Sequence, residues 1–162
     1  MALEVKIKTN SKAIQKRYAR LQKRFPGIID KGVLQGGFQL LDIIRTKTAK
    51  GIDYNDIPFK PYSSSYIKQL QKEGKPTKVD LFNTGRMMGA LTPGGRTVRK
   101  TGRHKITLGF SNAQMRQRAL FNQVLGKVNR EFFGFNDRTA NIIRKQFNRF
   151  VEKELRKFRI WV

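Results

Sequence analysis

The chain has no cysteine and only one histidine among its 162 residues. Without cysteine there can be no disulfide and none of the thiolate zinc sites common in small basic nucleic-acid binders, so packing or oligomerisation must stabilise the fold. The one histidine, His104, has no second histidine or cysteine with which to complete a metal site or a nucleophile system. We therefore expect His104 to be an ordinary turn residue.

Acidic residues are also scarce, since Asp and Glu together number 11. Only Asp53 with Asp56, and Glu152 with Glu154, lie close in sequence, and the second pair points to different sides of a helix. No glycine-rich run ends in the Gly-Lys-Ser/Thr sequence of a phosphate-binding loop. The sequence thus offers no group to carry catalysis. We expect a protein that is not an enzyme and that uses no metal or cofactor.

Long apolar runs are absent as well. No window approaches the roughly twenty apolar residues of a membrane-spanning helix. The N-terminal "MALEVKIKTNSK" lacks the continuous apolar core of a signal peptide. We expect synthesis in the cytoplasm and no membrane partner.

Positive charge is what the chain has in excess. Lys and Arg number 35, which gives a net charge of +24 at pH 7, far more than solubility requires. An acidic neighbour is expected, and charge alone does not choose between nucleic acid, an acidic protein surface and anionic lipid. The chain is not a disordered tail, because 38% of its residues are hydrophobic and 12 are Phe. One folded domain over residues 1–162 with a basic exterior is expected.

Periodicity predicts a strand and then a long helix in the first third of the chain. Apolar and charged residues alternate over 3–8, as in a strand with one buried face. Asn10 or Ser11 can cap the helix, whose first half carries the apolar stripe Ile14, Tyr18, Leu21 and Phe25. Pro26 and Gly27 interrupt a helical pattern that continues to Gly51, which favours one kinked helix or two consecutive ones.

The remainder predicts a loop, a hairpin and a final helix. Residues 52–80 hold three of the five prolines and little sustained period, so we expect a long, exposed loop with a short helix at 63–72. A second short helix is expected at 86–91, after Thr84. Residues 96–100 and 105–110 flank "TGRH" as in a β-hairpin. After Asn136 or Asp137 the C-terminal helix has the apolar stripe Ile142, Ile143, Phe147, Phe150, Val151, Leu155 and Phe158. The order predicts an α+β domain, a small antiparallel sheet packed by a long N-terminal and a C-terminal helix.

Clustered cations are the candidates for contact with DNA or with an acidic partner. They lie in the first helix and in the hairpin: Lys12, Lys16, Arg17, Arg20, Lys23, Arg24, Arg96, Arg99, Lys100, Arg103 and Lys105. A third basic block covers 144–159, and we expect the positive face of the C-terminal helix to meet an assembly partner or passing DNA. No helix-turn-helix or RNA-recognition signature accompanies them. Phe147, Phe150 and Phe158 fall on the apolar stripe of their helix, which favours packing over base stacking.

The segment 56–91 resembles a family pattern. It reads "DIPFKPYSSSYIKQLQKEGKPTKVDLFNTGRMMGAL", with Pro58, Phe59, Pro61, Ser63, Ser64, Tyr66 and Lys68, then Leu81, Thr84, Gly85, Met88 and Leu91 at the family's positions. It resembles the tailed-phage virion morphogenesis and tail completion proteins, the head-tail connector subunits of the phage neck. Downstream, "RALFNQVLG" and "REFFGF" continue the resemblance over residues 3–158. The chain departs from the pattern in having Pro61-Tyr62 for Pro-Leu and a larger basic excess.

The resemblance implies a structural virion protein. Such a protein would be one subunit of a ring, expected to be a homo-hexamer, at the phage neck or tail top, where it joins tail to head and lets DNA pass. Its partners would be its own copies, other neck, connector and tail proteins, and genomic DNA, and it would be made in the bacterial cytoplasm. The subunit-interface candidates that follow are Phe59, Tyr66, Leu81, Thr84, Gly85, Arg130, Phe132 and Phe133. Arg130, Phe132 and Phe133 could equally be anchors within one chain.

A second interpretation stays open. The chain could be a non-specific nucleic-acid-binding protein, or an assembly factor that does not enter the virion. Affinity of the isolated chain for short duplex DNA with a steep salt dependence would favour binding of nucleic acid over a purely structural role.

Overall fold

The computed structural model of the chain describes residues 11–82, 85–93 and 97–158. The expected strand at 3–8, Thr84 and Arg96 lie outside the described residues. The elements are helices α1 (Ser11–Lys50), α2 (Ser64–Lys72), α3 (Arg86–Gly89), α4 (Ala113–Leu120) and α5 (Asp137–Arg156), with strands β1 (Val98–Gly102) and β2 (Lys105–Leu108). A π-helical turn, Phe121–Leu125, continues α4. The fold is α+β, as the sequence predicts.

Helix α1 is one element of 40 residues with Pro26 inside it. At about 1.5 Å per residue it spans about 60 Å. Proline has no amide hydrogen, so Pro26 cannot donate the helical hydrogen bond to the Gln22 carbonyl. The helix nevertheless continues through Pro26. Of the alternatives that the sequence left open, the single helix is therefore the one observed.

The hairpin packs on the middle of α1. Strands β1 and β2 pair antiparallel in the register Val98 to Leu108 and Lys100 to Ile106. Gly37 of α1 allows a close approach, because a Cβ at that position would lie 2.2 Å from Ile106 Cδ1 and 3.1 Å from Val98 Cγ1. This confirms the expected hairpin and its packing against the first helix.

Helix α5 lies along the same part of α1 and runs antiparallel to it. A Cβ on Gly36 would lie 3.1 Å from Ile143, and a Cβ on Gly32 would lie 2.8 Å from the ring of Phe147. The helix begins where the sequence predicts, since the side chain of Asn136 accepts a hydrogen bond from the Thr139 amide at 3.0 Å. None of the apolar stripe expected on this helix is fully buried: Ile142 is exposed and the other six are half-buried.

The core lies at the C-terminal end of α1. Its buried side chains come from α1, the loop 51–82, α3, α4 and the segments that follow α3, follow β2 and precede α5: Leu41, Ile44, Phe59, Val79, Met87, Met88, Leu91, Phe110, Met115, Ala119 and Phe132. Phe110, Phe132 and Phe133 form an aromatic cluster with ring centroids 5.8 to 6.5 Å apart. These offset and edge-on contacts favour a fixed arrangement of the rings.

The loop 51–82 is attached to the core at several points, which corrects the expectation of a wholly exposed segment. Phe59, Leu70 and Val79 are buried. The expected short helix is α2, which Ser63 caps by accepting a hydrogen bond from the Tyr66 amide. Tyr54 donates its amide to the Glu131 carbonyl and places its ring against Gly134. Most residues of the loop are exposed between these anchors.

Candidate interaction surfaces

A basic concavity lies between the N-terminal half of α1 and the end of α5. We call it the basic cleft, a cavity of about 930 Å³. Its lining is Arg17, Arg20, Lys23, Arg24, Gly27, Ile28, Lys31, Glu154, Lys157 and Phe158. Six of these ten residues are Lys or Arg, and one is an acid. The walls of the cleft are residues 17–31 of α1 and residues 154–158 at the end of α5.

The cations on α1 are regularly spaced. Arg17, Arg20, Arg24 and Lys31 follow one another at steps of three, four and seven residues, and such steps place side chains on one face of a helix. At about 1.5 Å per residue this line of charge is about 21 Å long. On α5, Lys157 contacts the Glu154 carboxylate one turn away. Glu154 therefore offsets one positive charge in the cleft.

The hairpin cations have a different environment. Asp30 of α1 accepts hydrogen bonds from the amide of His104 at 2.9 Å and from its Nδ1 at 3.0 Å, and it pairs with Lys100. The hydrogen bond from Lys100, aided by the His104 amide, lowers the pKa of Asp30 from 3.8 to about 2. His104 has a positive φ of 56° in the hairpin turn. It is thus the turn residue that the sequence predicts, and it also fastens the hairpin to α1.

The eleven predicted cations are therefore divided. Arg17, Arg20, Lys23 and Arg24 line the basic cleft, whereas Lys12 and Lys16 are exposed on α1 outside its lining. Lys31 and Lys157, which are not among the eleven, complete the cleft. In the hairpin, Arg99, Arg103 and Lys105 are exposed and Lys100 is paired with Asp30. The helical spacing of Lys31 could have been read from the sequence, but the position of Lys157 depends on the packing of α5.

Apolar side chains are exposed on the same half of α1. Ile14, Tyr18 and Phe25 are 46%, 51% and 40% exposed. They belong to the stripe that the sequence analysis identified, and the same face of α1 packs on α5 further along, at Gly32 and Gly36. The stripe remains exposed because α1 is longer than the elements that cover it in the described part of the chain.

A second exposed apolar group lies at the end of α4. We call it the 120–125 cluster: Leu120, Phe121, Val124 and Leu125, each between 46% and 59% exposed. Most of it lies in the π-helical turn, which is closed by the Gly126 amide donating to the Phe121 carbonyl at 2.7 Å. A Cβ on Gly126 would lie 2.7 Å from that oxygen, so glycine is required there. Such turns are often found at functional sites.

Arg130 and two tyrosines form a small surface group on the loop. The guanidinium lies 5.0 Å from the centre of the Tyr62 ring and donates to the Lys60 carbonyl at 3.3 Å. The Tyr66 ring meets Tyr62 edge-on at 5.0 Å. Partial burial raises the pKa of Tyr62 above its ordinary value. Arg130 here acts within the chain as an anchor of the loop.

The predicted subunit-interface residues differ in how exposed they are. Phe59 and Phe132 are 9% and 1% exposed, so the expectation that they face a neighbouring subunit is corrected: both pack in the chain's own core. Phe133 and Leu81 are half-buried against that core, and Gly85 begins α3 with a positive φ of 66°. Tyr66 is partly exposed. The positions the pattern singles out thus mostly hold the loop to the body.

The paired acids have structural roles. Asp53 Oδ1 accepts from the amides of Asn55 and Ile57 at 2.8 Å, which closes the loop on itself. Asp56 pairs with Lys47 at 2.7 Å and accepts from Asn136 at 2.9 Å. These hydrogen bonds, that of Lys47 above all, lower the pKa of Asp56. Residues 11–82, 85–93 and 97–158 contain no group of three or more His, Asp or Glu side chains that could hold a metal ion.

Two further findings concern membrane spans and related proteins. Among the helices of the described residues, none is long and apolar enough to cross a membrane. Comparison with protein-family models, with curated proteins and with solved structures gave no match.

Proposed function

We propose that this chain is a structural subunit of a ring at the head-tail junction of a tailed phage. The proposal combines the sequence pattern over 56–91 with one structural observation, the presence of two separate exposed apolar surfaces on a small chain. Its work is assembly: neighbouring copies and adjoining neck or tail proteins bind these surfaces, and DNA passes through the ring.

The two surfaces support a ring in particular. A closed ring built by head-to-tail contacts needs two different patches on each subunit, one for each neighbour. The α1 stripe of Ile14, Tyr18 and Phe25 precedes the core along α1, whereas the 120–125 cluster follows the core residue Ala119. Contiguous exposed apolar groups of this kind mark interaction surfaces in soluble proteins.

The decisive experiment is electron microscopy of purified virions that carry a tagged copy of the protein. A ring of density at the head-tail junction, labelled through the tag, is the expected result. Absence of the protein from purified virions, measured by mass spectrometry, would overturn the proposal and would favour an assembly factor that leaves before completion.

Oligomerisation of the isolated chain tests the role of the 120–125 cluster. Light scattering coupled to size-exclusion chromatography should show a concentration-dependent oligomer, and Phe121→Ser with Leu125→Ser should shift it to monomer. Ile57→Ser is the matched control, because Ile57 is as exposed, at 58%, but stands apart in the loop. Equal behaviour of the two variants would remove this cluster from the interface.

A non-specific nucleic-acid-binding protein is the second candidate function. The observation that favours it is the basic cleft, in which six cations and a single acid line the space between α1 and the end of α5. The two candidates differ in where the protein ends up: a free binding protein would associate with DNA in infected cells and be missing from the virion.

A further inference from the structure

We propose that the basic cleft binds the phosphate backbone of nucleic acid, and that the hairpin cations are not the principal contact. Among the candidate cations, the proposal selects those of the first helix over those of the hairpin, and it adds Lys31 and Lys157. In a junction subunit this site would meet the passing DNA. Binding is nevertheless a property of the isolated chain, so it can succeed or fail independently of the ring.

The composition of the cleft favours nucleic acid over a protein partner. Interface cores between proteins are depleted of charged residues, and aromatic and apolar anchors occupy them. In the cleft the proportions are reversed, since six of ten lining residues are cations and the apolar side chains are limited to Ile28 and Phe158. Three of the cations are arginines, whose planar forks match phosphate oxygens in pairs.

The spacing of the charges fits a phosphate backbone. One strand of duplex DNA presents a phosphate about every 3.4 Å along the helix axis. The line from Arg17 to Lys31, about 21 Å long at the rise of an α-helix, would face about six of them. Lys157, on the opposite wall just after α5, adds a further cation, and its charge is partly offset by Glu154. A cavity of about 930 Å³ is too small to enclose a duplex, so one backbone strand would lie along its mouth.

The hairpin lacks this arrangement. Lys100 is paired with Asp30, and the same carboxylate also binds the backbone and ring of His104. The positive charge of Lys100 is therefore offset by Asp30 before a ligand arrives. Lys100 and Lys105 share only a smaller cavity, about 200 Å³, with Lys31 and Asp30 of α1, so a carboxylate lies among its cations. Arg99 and Arg103 are exposed at the strand and the turn.

The test measures binding of the full chain to a short fluorescent duplex by anisotropy over a range of salt concentrations. The cleft variant combines Arg20→Gln, Arg24→Gln and Lys31→Gln. The matched control combines Lys68→Gln, Lys72→Gln and Lys127→Gln, which removes the same charge from exposed positions away from the cleft. Each phosphate contact contributes about 0.9 to the slope of log affinity against log salt. The cleft variant should lose about 2.7 of that slope and on the order of 100-fold in affinity near 0.15 M salt, the control a few-fold at most.

A single substitution that should increase the affinity for DNA tests the same geometry. Glu154→Gln removes the carboxylate that contacts Lys157, so affinity for the duplex should rise several-fold. Glu152→Gln is the control, since Glu152 changes the net charge equally but is an exposed residue outside the cleft lining. Equal gains in the two variants would mean that only net charge matters and would overturn the assignment.

Lysine acetylation of the unaltered protein gives a measurement that does not require any variant to fold. Duplex DNA should protect Lys23, Lys31 and Lys157 from the reagent, and should leave Lys68, Lys72 and Lys127 reactive. Uniform protection, equal slopes for the two triple variants, or tighter binding of an acidic polypeptide than of DNA would each refute the proposal. A virion ring without cleft protection would refute this inference alone, and cleft protection without a virion ring would refute only the proposed function.

Discussion

Replacing two glycines of α1 by alanine tests how closely α5 packs on it. Gly27 and Gly32 are one and a half turns apart in the same helix. Gly27 has open space where a Cβ would be, with no atom within 4 Å. At Gly32 the added carbon would lie 2.8 and 2.9 Å from two carbons of the Phe147 ring and 3.1 Å from Phe150. The same substitution therefore meets opposite surroundings.

The magnitudes can be worked from these distances. Alanine is favoured over glycine inside a helix by about 1 kcal/mol, and this gain is common to both positions. Carbon atoms pack favourably at about 3.5 to 4.0 Å, so the contact at Gly32 is too short by more than half an ångström. Overpacking of this kind costs about 1 to 3 kcal/mol. Gly27→Ala should thus stabilise the protein by about 1 kcal/mol, and Gly32→Ala should be neutral or destabilising by up to about 2 kcal/mol.

Urea denaturation and thermal melting followed by circular dichroism measure both variants. For a chain of this size each kcal/mol corresponds to about 2 to 4 °C in Tm. Gly32→Ala combined with Phe147→Leu should cost less than the sum of the two single changes, because the smaller side chain relieves the contact. If Gly32→Ala were as stabilising as Gly27→Ala, α5 could not lie against Gly32, and the packing of the two helices described above would be refuted.

Three further predictions concern the hairpin, the start of α5 and the core. Asp30→Asn should lower stability near neutral pH, because the pKa of Asp30 is about 2 in the folded protein against an ordinary value of 3.8. The stability advantage of the wild type should be complete above about pH 4 and disappear as the pH falls through about 2. An unchanged advantage at low pH would contradict the contact. Asn136→Ala should cost about 1 kcal/mol in urea denaturation and Asn136→Ser distinctly less, since serine retains the cap; equal losses would argue against capping. Leu91→Ala should cost about 2 to 5 kcal/mol because Leu91 is fully buried, whereas Leu120→Ala, at an exposed position, should cost far less.

The elements with a clear period were predictable from sequence. The long helix, the hairpin and the C-terminal helix each have either a long repeating pattern or a short alternating one, and the cap at Asn136 is a local signal. Each of these signals is confined to residues near one another in the chain. Local backbone preference and one-sided burial are enough to encode such elements.

Helix α4 was missed because its pattern is weak. Only Met115 and Ala119 are buried in it, one turn apart, and its other side chains are polar or exposed. The buried anchors Phe59, Leu70 and Val79 were missed for a related reason. They lie in a stretch without period, and a single apolar residue in such a stretch gives no sign of which face is covered.

The residues of the candidate site also divide into those that a local pattern predicts and those that depend on distant contacts. Arg17, Arg20 and Arg24 were found from clustered charge on a helix, which is a local property. The roles of Lys157 and Asp30 depend on contacts between distant parts of the chain, as when Asp30 binds His104 across 74 positions. No local spacing encodes such contacts, so charge alone could not separate the cleft from the hairpin.

Three consecutive sections of α1 differ in composition, and this difference bears on function. Four glycines occur between Gly27 and Gly37, and each weakens the helix by about 1 kcal/mol relative to alanine. At three of them, close packing of α5 or the hairpin compensates, and the following section is held in the core. In the section 11–25 the apolar side chains of Ile14, Tyr18 and Phe25 are exposed, and the clustered cations repel one another. A ligand that neutralises those cations, or a partner that covers the stripe, would therefore stabilise this section as it binds. Stability and recognition in α1 would then be coupled, and added duplex should raise the Tm of the wild-type protein more than that of the cleft variant.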